Sequence, residues 1–325
     1  MAEPATAAHA NRLLAEGRRR EAADLLKAAA ANGDADALLF MAHAKLRGEW
    51  VPRDLGVARD LFRRAAEAGS GEAAAVHAGF LAGGIGGSRA WRDALQALQA
   101  RRGADPAAAR QAALIEAMAL TEDGEPASLP PTEELSGDPR VALCRGLFTP
   151  DECAFLLAAA EPLFRPAVIV DPRTGEQVRN PVRTSDSAHF TLVLEDPAIH
   201  ALNRRIAALT GTSAAQGEPL QVLRYNPGQE FKSHSDALPA TDNQRVMTVL
   251  VYLNEGYGGG ETVFPTLGLS IRGRTGDALI FHNVDGAGRP EPRSTHAGLP
   301  VTQGTKMVAS RWIRARALDL LNPGR

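Results

Sequence analysis

The pattern of hydrophobic and polar positions changes near residue 120. Before that point the chain is rich in alanine, leucine, arginine and glutamate, which favour helices, and it has almost no Val–Ile runs. From Ala167 onward, clusters of β-branched and aromatic residues such as RVMTVLVYL (245–253) are separated by Gly, Pro, Asn and Asp. Clusters at a spacing of roughly ten residues predict an antiparallel sandwich or barrel. We therefore expect helices first and β-structure second.

The helical part of the sequence repeats. The segment AAANGDADA (29–37) is echoed 36 positions later by AAEAGSGEA (65–73), and Gly48 and Gly84 keep the same register. A weaker third copy starts around Gly103. A period in the thirties is typical of stacked helical hairpins, and the pattern over residues 15–118 resembles Sel1-like repeats. Such a solenoid would bind a partner or substrate, or would only brace the neighbouring domain.

The boundaries of two domains follow from a change of composition between them. Residues 121–137, TEDGEPASLPPTEELSG, are rich in Pro, Glu and Ser and are typical of a linker. We therefore predict a helical repeat domain at 1–118, a linker at 119–137 and a second domain at 138–325. Within the second domain, residues 200–210 predict one helix among the strands, which makes the chain an α+β multidomain protein.

Composition excludes some classes of partner. The apolar fraction of 44% and the charged fraction of 23% are ordinary for a globular protein, and the net charge of −2 favours neither nucleic acid nor an anionic membrane. No apolar run approaches the roughly 20 residues of a membrane span. The N-terminal segment lacks a secretory signal pattern, so a cytoplasmic location is expected. The two cysteines, Cys144 and Cys153, predict packing rather than a disulfide framework.

The candidate chemistry lies in four residues of the β-rich part. His234 and Asp236 are two positions apart, His296 follows much later, and Lys306 lies ten positions beyond it. Two imidazoles and one carboxylate form the facial triad that holds non-haem Fe(II) and leaves coordination positions open. His-x-Asp alone is weak, since roughly one chain in two or three would contain it by chance. On a strand, however, residues i and i+2 project from one face and reach one metal.

The residues that frame this quartet follow an ordered series. They are Tyr225, Gly228, Gln229, Phe231, His234, Asp236, Arg245, Thr248, Gly259–Thr262, Phe264, Pro265, His296–Gly298, Pro300, Val301, Lys306 and Arg311–Ile313. The series resembles the prolyl 4-hydroxylase family of 2-oxoglutarate- and Fe(II)-dependent dioxygenases, over about residues 140–316. The resemblance implies a double-stranded β-helix, or jelly roll, for the second domain. It also implies hydroxylation of prolyl residues in a peptide or protein, coupled to decarboxylation of 2-oxoglutarate to succinate.

The resemblance also assigns roles to individual residues. It implies His234, Asp236 and His296 as catalytic Fe(II) ligands. It implies three residues for 2-oxoglutarate: Lys306 for the distal carboxylate, Thr262 as a hydrogen-bond donor to it, and Tyr225 in the pocket wall. It implies Arg245 and Trp312 as contacts of the substrate peptide, O2 as second cosubstrate and L-ascorbate as a reductant. A purely structural role is the alternative for four of these residues, Thr262, Tyr225, Arg245 and Trp312. Trp312 would then be a core aromatic residue, and Arg245 a solvated charge at a strand edge.

One position departs from the pattern of many relatives. Phe231 stands where they carry tyrosine, so a hydroxyl that would hydrogen-bond substrate is missing. Hydroxylation of another residue or of a free amino acid therefore stays open. An inactive binding module and a zinc hydrolase are further alternatives. The intact triad and Lys306 disfavour the first, and Lys306 with the Gly-Gly-Glu-Thr turn disfavours the second.

Overall fold

The computed structural model describes residues 5–170 and 177–320, which group into two compact units. The first unit comprises the described part of Met1–Glu125 together with Val193–Ala201. The second comprises the described parts of Pro126–Leu192 and Leu202–Arg325. The helices of the first unit are α1 (Ala5–Ala15), α2 (Arg19–Ala31), α3 (Ala35–Arg47), α4 (Leu55–Glu67), α5 (Gly71–Gly83), α6 (Trp91–Arg101) and α7 (Pro106–Ala117).

The caps of the helices repeat with the register expected from the sequence. Asp34 and Ser70, 36 positions apart, cap the N-termini of α3 and α5 by accepting hydrogen bonds from backbone N–H groups. Gly48 and Gly84 end the same two helices in the left-handed region, with φ of 72° and 73°, which glycine adopts without steric cost. Each helix packs against the next one along the chain. The helical hairpins predicted from the repeat are therefore present.

The segment Val193–Ala201 groups with the helices because two glycines of α5 let it approach. A Cβ atom on Gly79 would lie 2.3 Å from the carbonyl oxygen of Glu195, and one on Gly83 would lie 2.4 Å from Cε1 of His200. Any other residue at either position would displace the segment. We predicted that all residues from 138 onward form one domain. The segment Val193–Ala201 lies within that range but groups with the helices.

The second unit contains helix α8 (Pro150–Ala160), the part of helix α9 (Pro197–Thr210) from Leu202 onward, and the strands. Helix α8 begins at a capping box in which Thr149 and Glu152 satisfy each other's backbone N–H groups. Helix α9 begins three residues before the predicted start, since the carboxylate of Asp196 accepts a hydrogen bond from the N–H of Ile199. The strands are β1 (Thr132–Gly137), β2 (Arg140–Cys144), β3 (Arg165–Pro166), β4 (Val168–Val170), β5 (Gln177–Arg179), β6 (Asp186–His189), β7 (Gln221–Tyr225), β8 (Phe231–His234), β9 (Arg245–Tyr252), β10 (Gly258–Gly259), β11 (Thr262–Phe264), β12 (Leu269–Ile271), β13 (Ala278–His282), β14 (His296–Gly298), β15 (Val301–Gln303) and β16 (Lys306–Arg314). Strand β1 occupies the end of the predicted linker, which is therefore partly ordered.

The strands form two main antiparallel sheets. The larger has the order β1-β2-β13-β9-β16-β7-β6-β3, and the smaller has the order β12-β11-β14-β8. Two short ribbons, β10-β15 and β4-β5, complete the unit. One core cluster contains Leu143, Tyr252 and Phe281 of the larger sheet and Phe264 and Ile271 of the smaller one, so side chains of both sheets pack together. The unit is thus the predicted jelly roll, in an α+β chain.

Two predictions from composition can be compared with the structure. Cys144 and Cys153 are both free and buried, which confirms packing without a disulfide. Burial raises the pKa of the Cys144 thiol to about 11, with the nearby Asp277 adding to the rise, so the thiol stays protonated. Among the described residues, no helix combines the length and the apolar character that crossing a bilayer requires.

Candidate active site

Two histidines face each other across the smaller sheet. His234 ends β8 and His296 begins β14, and the two residues are directly opposed partners in the antiparallel pairing. Nδ1 of His234 lies 2.8 Å from the carbonyl oxygen of Lys232, and Nδ1 of His296 lies 3.1 Å from that of Ser294. Because a carbonyl oxygen only accepts, each Nδ1 carries the proton. Both Nε2 lone pairs are therefore free to bind a metal.

The carboxylate of Asp236 completes this cluster from outside the strand. Strand β8 ends at His234, so Asp236 does not reach the site by the i, i+2 alternation of a strand that we predicted. Its Oδ1 lies 3.5 Å from Nε2 of His234, and its Oδ2 lies 3.7 Å from Nε2 of His296. One ligand atom from each residue lies within 4.8 Å of the others. The three residues could therefore hold one ion.

A buried relay of hydrogen bonds orients the carboxylate. The hydroxyl of Thr248 on β9 donates to Oδ2 of Asp236 at 2.7 Å, and Nδ2 of Asn283 donates to the Thr248 oxygen at 2.9 Å. An ionised carboxylate can only accept, so the direction from Asn283 through Thr248 to Asp236 is fixed. All three residues are buried. The fold thus holds Asp236 in place by contacts from the larger sheet.

The charges of the cluster suit a divalent cation. Burial alone would raise the pKa of Asp236, but His234, His296 and the Thr248 hydroxyl hold it below its usual range, so the carboxylate is ionised. Burial lowers the pKa of His296 to about 4, against the opposing effect of Asp236, so this imidazole is neutral. A neutral imidazole and an ionised carboxylate are the forms that ligate metal. The donor set fits Fe(II).

Aromatic rings enclose the two imidazoles. The ring of Phe231 stacks on His234, with centroids 3.5 Å apart and planes 12° apart. The rings of Phe281 and Phe264 lie 4.6 Å and 5.4 Å from that of His296. These contacts restrict rotation of both imidazoles and place an apolar wall beside their nitrogen atoms. Phe231, the position that departs from the relatives, therefore packs against a candidate ligand.

A buried ammonium lies on the wall of the same pocket. Lys306 begins β16 opposite Tyr225 of β7, and its Nζ lies 5.7 Å from the ring centroids of both Tyr225 and Tyr252. Nζ donates to the carbonyl oxygen of Gly260 at 2.7 Å. Burial lowers the pKa of Lys306 to about 8, because a charged amine is poorly solvated there. An anionic group in the pocket would restore the favourable charge pairing.

Thr262 on β11 lines the same pocket as this ammonium, and its hydroxyl is buried. This hydroxyl accepts a hydrogen bond from that of Tyr252 at 3.2 Å, so its own proton is left for another acceptor. Burial raises the pKa of Tyr225 to about 12, so this phenol is neutral. The pocket itself has a volume of 40 Å³. It is lined by Leu223, Tyr225, Phe231, His234, Asp236, Leu250, Thr262, His296, Gly298, Lys306, Val308, Ser310 and Trp312.

The two predicted substrate contacts lie at different depths. Trp312 lines the pocket, and its buried indole N–H has no acceptor among the residues that the structure describes. Arg245 lies behind it, with its guanidinium carbon 3.7 Å from the Trp312 ring centroid. The guanidinium makes two hydrogen bonds, of 2.6 and 2.8 Å, to the carboxylate of Glu218, which also accepts from Arg314. Arg245 therefore fixes the position of the Trp312 ring.

Several residues of the site were given no role in the sequence. They are Asn283, Tyr252, Glu218 and Thr248, the last of which appeared only as one position of the framing series. The signal for Thr248 was a hydroxyl within the apolar strand β9, which a buried polar partner would explain. Asn283 and Glu218 reach the site through contacts between residues 35 and 27 positions apart, which the sequence pattern does not show.

A two-histidine, one-carboxylate cluster in a double-sheet fold defines the class of non-haem iron oxygenases. Comparisons with known proteins agree. Residues 220–314 match the 2OG-Fe(II) oxygenase superfamily. The chain is 37% identical over 204 residues to Prolyl 4-hydroxylase 1 of Arabidopsis thaliana, with 57% of this chain and 72% of the relative covered. It is 34% identical over 206 residues to Probable prolyl 4-hydroxylase 3 of the same plant, with 56% and 71% covered.

Among solved structures, the viral collagen prolyl hydroxylase of Paramecium Bursaria Chlorella virus-1, in its 2OG complex, is 30% identical. The match covers 54% of this chain and 96% of the viral one, with a TM-score of 0.44. The identity to the plant relatives, over more than two thirds of their length, is what establishes the family. The chain belongs to the prolyl 4-hydroxylase family and is a 2-oxoglutarate- and Fe(II)-dependent dioxygenase.

Proposed function

We propose that this enzyme hydroxylates prolyl residues of a peptide or protein. The observation that carries the proposal is one pocket whose walls hold the two histidines, the carboxylate and a buried ammonium. The relatives that carry the name prolyl 4-hydroxylase supply the substrate class. Atoms balance as 2-oxoglutarate, O2 and a prolyl C–H giving succinate, CO2 and a hydroxyprolyl residue.

His234, Asp236 and His296 hold the metal in this proposal. Fe(II) with bound 2-oxoglutarate supplies the activation of O2 that inserts oxygen into an aliphatic C–H bond. The Nδ1 bonds to backbone carbonyl oxygens aim both imidazoles, and Thr248 aims the carboxylate. The rings of Phe231 and Phe281 keep water from the apolar side of the cluster.

Lys306 and Thr262 bind the distal carboxylate of 2-oxoglutarate in this proposal, and Tyr225 lines its pocket. The ammonium is a compact point charge at the end of a buried pocket, which suits one carboxylate. The Tyr252 hydroxyl turns the Thr262 proton toward the incoming group, because it already occupies an acceptor position of Thr262. The hydrogen bond from Lys306 to Gly260 holds the ammonium in place until the carboxylate arrives.

The substrate contacts are Trp312 and, behind it, Arg245. We propose that the Trp312 indole N–H donates to a substrate carbonyl oxygen, since Trp312 lines the pocket and this N–H has no partner in the described part of the chain. Arg245 acts by holding this ring between the guanidinium and the pocket. Phe231 offers no hydroxyl to the substrate. The pocket therefore selects the substrate residue by its shape and by the hydrogen bond from the Trp312 indole N–H.

The helical unit has a separate role in this proposal. Its period of 36, seen in the caps of α3 and α5, supports Sel1-like repeats over residues 1–118 and docking of the substrate by them. The use of ascorbate as reductant and a cytoplasmic location stay predictions.

The test is mass spectrometry of proline-rich peptides incubated with the full chain, Fe(II), 2-oxoglutarate and O2. We expect a gain of one oxygen on proline, together with succinate. Asp236→Ala should abolish both products, while Ser235→Ala, at the exposed residue between the two ligands, should retain them. Succinate without any oxidised proline would contradict the prolyl substrate. Unchanged product in Asp236→Ala would contradict the metal site.

A further inference from the structure

A glycine-rich turn adjoins the pocket proposed for 2-oxoglutarate. It runs over residues 256–260 with the sequence Gly-Tyr-Gly-Gly-Gly, and φ is 84° at Gly256, 67° at Gly259 and 71° at Gly260. Glycine adopts these left-handed angles without steric cost, but it also loses more conformational freedom than other residues when a chain becomes ordered. A turn built from four glycines therefore needs contacts from outside to hold one conformation.

The carbonyl oxygen of Gly260 links this turn to the pocket. It accepts the hydrogen bond that Nζ of Lys306 donates at 2.7 Å. The fit is close, since a Cβ atom on Gly260 would lie 3.1 Å from Cδ of the lysine. An ammonium has three donors, so Nζ can keep this bond while it binds a carboxylate. The position of the ammonium therefore depends on the position of the turn.

Arg272, the residue that follows β12, bridges the turn from outside. Its guanidinium donates to the carbonyl oxygen of Tyr257 at 3.2 Å, to that of Gly259 at 2.6 Å and to Oε1 of Glu261 at 2.6 Å. The guanidinium carbon also lies 5.3 Å from the centroid of the Tyr257 ring. The three acceptors alternate along the chain, and Gly260 lies between the last two. One planar side chain thus restrains the residues on either side of Gly260.

Charge alone does not account for what Arg272 contributes here. Its side chain is exposed, and an exposed ion pair with Glu261 contributes little by itself. Burial is the main cause of the lowered pKa of Lys306; the charge of Glu261 opposes it, and that of Arg272 adds to it. Loss of the Arg272 charge would therefore favour the charged form of Lys306. What Arg272 supplies to the ammonium is position, through its bonds to the turn.

We propose that Arg272 is a positioning residue for 2-oxoglutarate. Its three hydrogen bonds hold the glycine-rich turn, the turn presents the carbonyl oxygen of Gly260, and this oxygen aims the Lys306 ammonium at the distal carboxylate. Arg272 is outside the set of described residues that line the pocket, so it acts through the turn. The inference rests on the proposed binding of 2-oxoglutarate by Lys306 and names what keeps that site formed.

The test measures the Kd for 2-oxoglutarate by calorimetry on the full chain loaded with Co(II). Arg272→Gln removes both the charge and the planar fork, whereas Arg272→Lys keeps the charge but cannot bridge three separate acceptors. Arg274→Gln is the matched control, because Arg274 is an exposed arginine two positions further on. We expect about tenfold weaker binding for both Arg272 variants and a change within about twofold for the control. All three variants should bind Co(II) with the affinity of the unaltered chain.

Two further measurements separate positioning from a general structural role. In succinate formation, the KM for 2-oxoglutarate of Arg272→Gln should rise about tenfold while kcat falls by less than about twofold. Lys306→Met weakens binding by itself, and Arg272→Gln should add nothing to it, because the route through the ammonium is gone. Hydrogen exchange at the backbone amides of residues 256–261 should be faster in Arg272→Gln than in the unaltered chain.

The outcomes separate this inference from the proposed function. If Arg272→Lys binds 2-oxoglutarate as tightly as the unaltered chain, only charge acts and the positioning role is wrong. If Arg272→Gln weakens binding equally with and without Lys306→Met, the route through Lys306 is wrong. If Lys306→Met weakens binding and Arg272→Gln does not, this inference alone fails. If neither substitution changes the Kd, the proposed binding of 2-oxoglutarate by Lys306 fails as well.

Discussion

Replacement of Thr248 by valine tests whether the larger sheet holds the metal site in place. The substitution keeps the shape of the side chain and removes the hydroxyl that donates to Asp236 at 2.7 Å. A hydrogen bond to a charged group is worth about 1.5–3 kcal/mol. The amide of Asn283, which is fully buried, would also lose its acceptor, at a further cost of about 1–3 kcal/mol. The carboxylate would then be free to rotate away from the two imidazoles.

Loss of an outer hydrogen bond of this kind typically weakens metal binding by about 10–100-fold. We therefore expect Thr248→Val to raise the Kd for Fe(II) in that range, measured by anaerobic calorimetric titration with Co(II) as a second probe. Thr248→Ser keeps the hydroxyl and serves as the control, with a Kd close to that of the unaltered chain. Excess Fe(II) should restore much of the turnover of the valine variant. Equal metal affinity for the valine and serine variants would refute the positioning role of Thr248.

Three other changes probe separate parts of the molecule. Lys306→Met should raise the Kd for 2-oxoglutarate by about 10–100-fold, from the loss of a charge-assisted contact, and leave Fe(II) binding unchanged. Because the free enzyme's Lys306 has its pKa lowered to about 8, its ammonium is lost as pH rises through that value, and calorimetry should show weaker 2-oxoglutarate binding above it. Arg245→Ala should raise the KM for peptide while succinate formation without peptide persists, since only the support of Trp312 is removed; an unchanged KM would contradict this. Phe62→Ala should lower the free energy of unfolding of the helical unit by about 3–5 kcal/mol in urea, because this ring is fully buried against Phe80; a loss below about 0.5 kcal/mol, within the range of surface changes, would contradict the packing.

The helical unit was predictable because its signals are local. The N-cap residues Asp34 and Ser70 and the C-cap glycines Gly48 and Gly84 each act within one turn of their own helix, so their period is visible in the sequence. The grouping of Val193–Ala201 with this unit was not visible. It depends on a contact between α5 and a segment more than a hundred residues away, made possible by Gly79.

The candidate site was also predictable from the sequence only in part. The strand that begins at Lys306 was recognisable from its apolar and β-branched residues, whereas the short strand β14 (His296–Gly298) has no β-branched residue and was expected to be the end of a loop. The quartet itself followed from residue type and order. The position of Asp236 beyond the end of β8 was not predicted, because it is set by Thr248 on another sheet rather than by the alternation of a strand. The register that places His296 opposite His234 also comes from pairing between distant segments.

Arg245 lies in a different position from the one that we expected. Residue type and resemblance indicated a substrate contact or a solvated edge charge. In the structure its guanidinium is bound by Glu218 and covers the ring of Trp312. Neither partner could be assigned from sequence spacing, since Glu218 lies 27 positions before Arg245. We propose that Arg245 acts on the substrate through the tryptophan.

The most direct test of the account follows the two oxygen atoms of O2. The full chain is supplied with Fe(II), 2-oxoglutarate, a proline-rich peptide and isotopically labelled O2, and both products are weighed by mass spectrometry. The account predicts one labelled atom in succinate and one on a prolyl residue, in equal amounts, and neither product from His296→Ala. Labelled succinate with an unlabelled or unmodified peptide, whatever proline-containing sequence is offered, would contradict it.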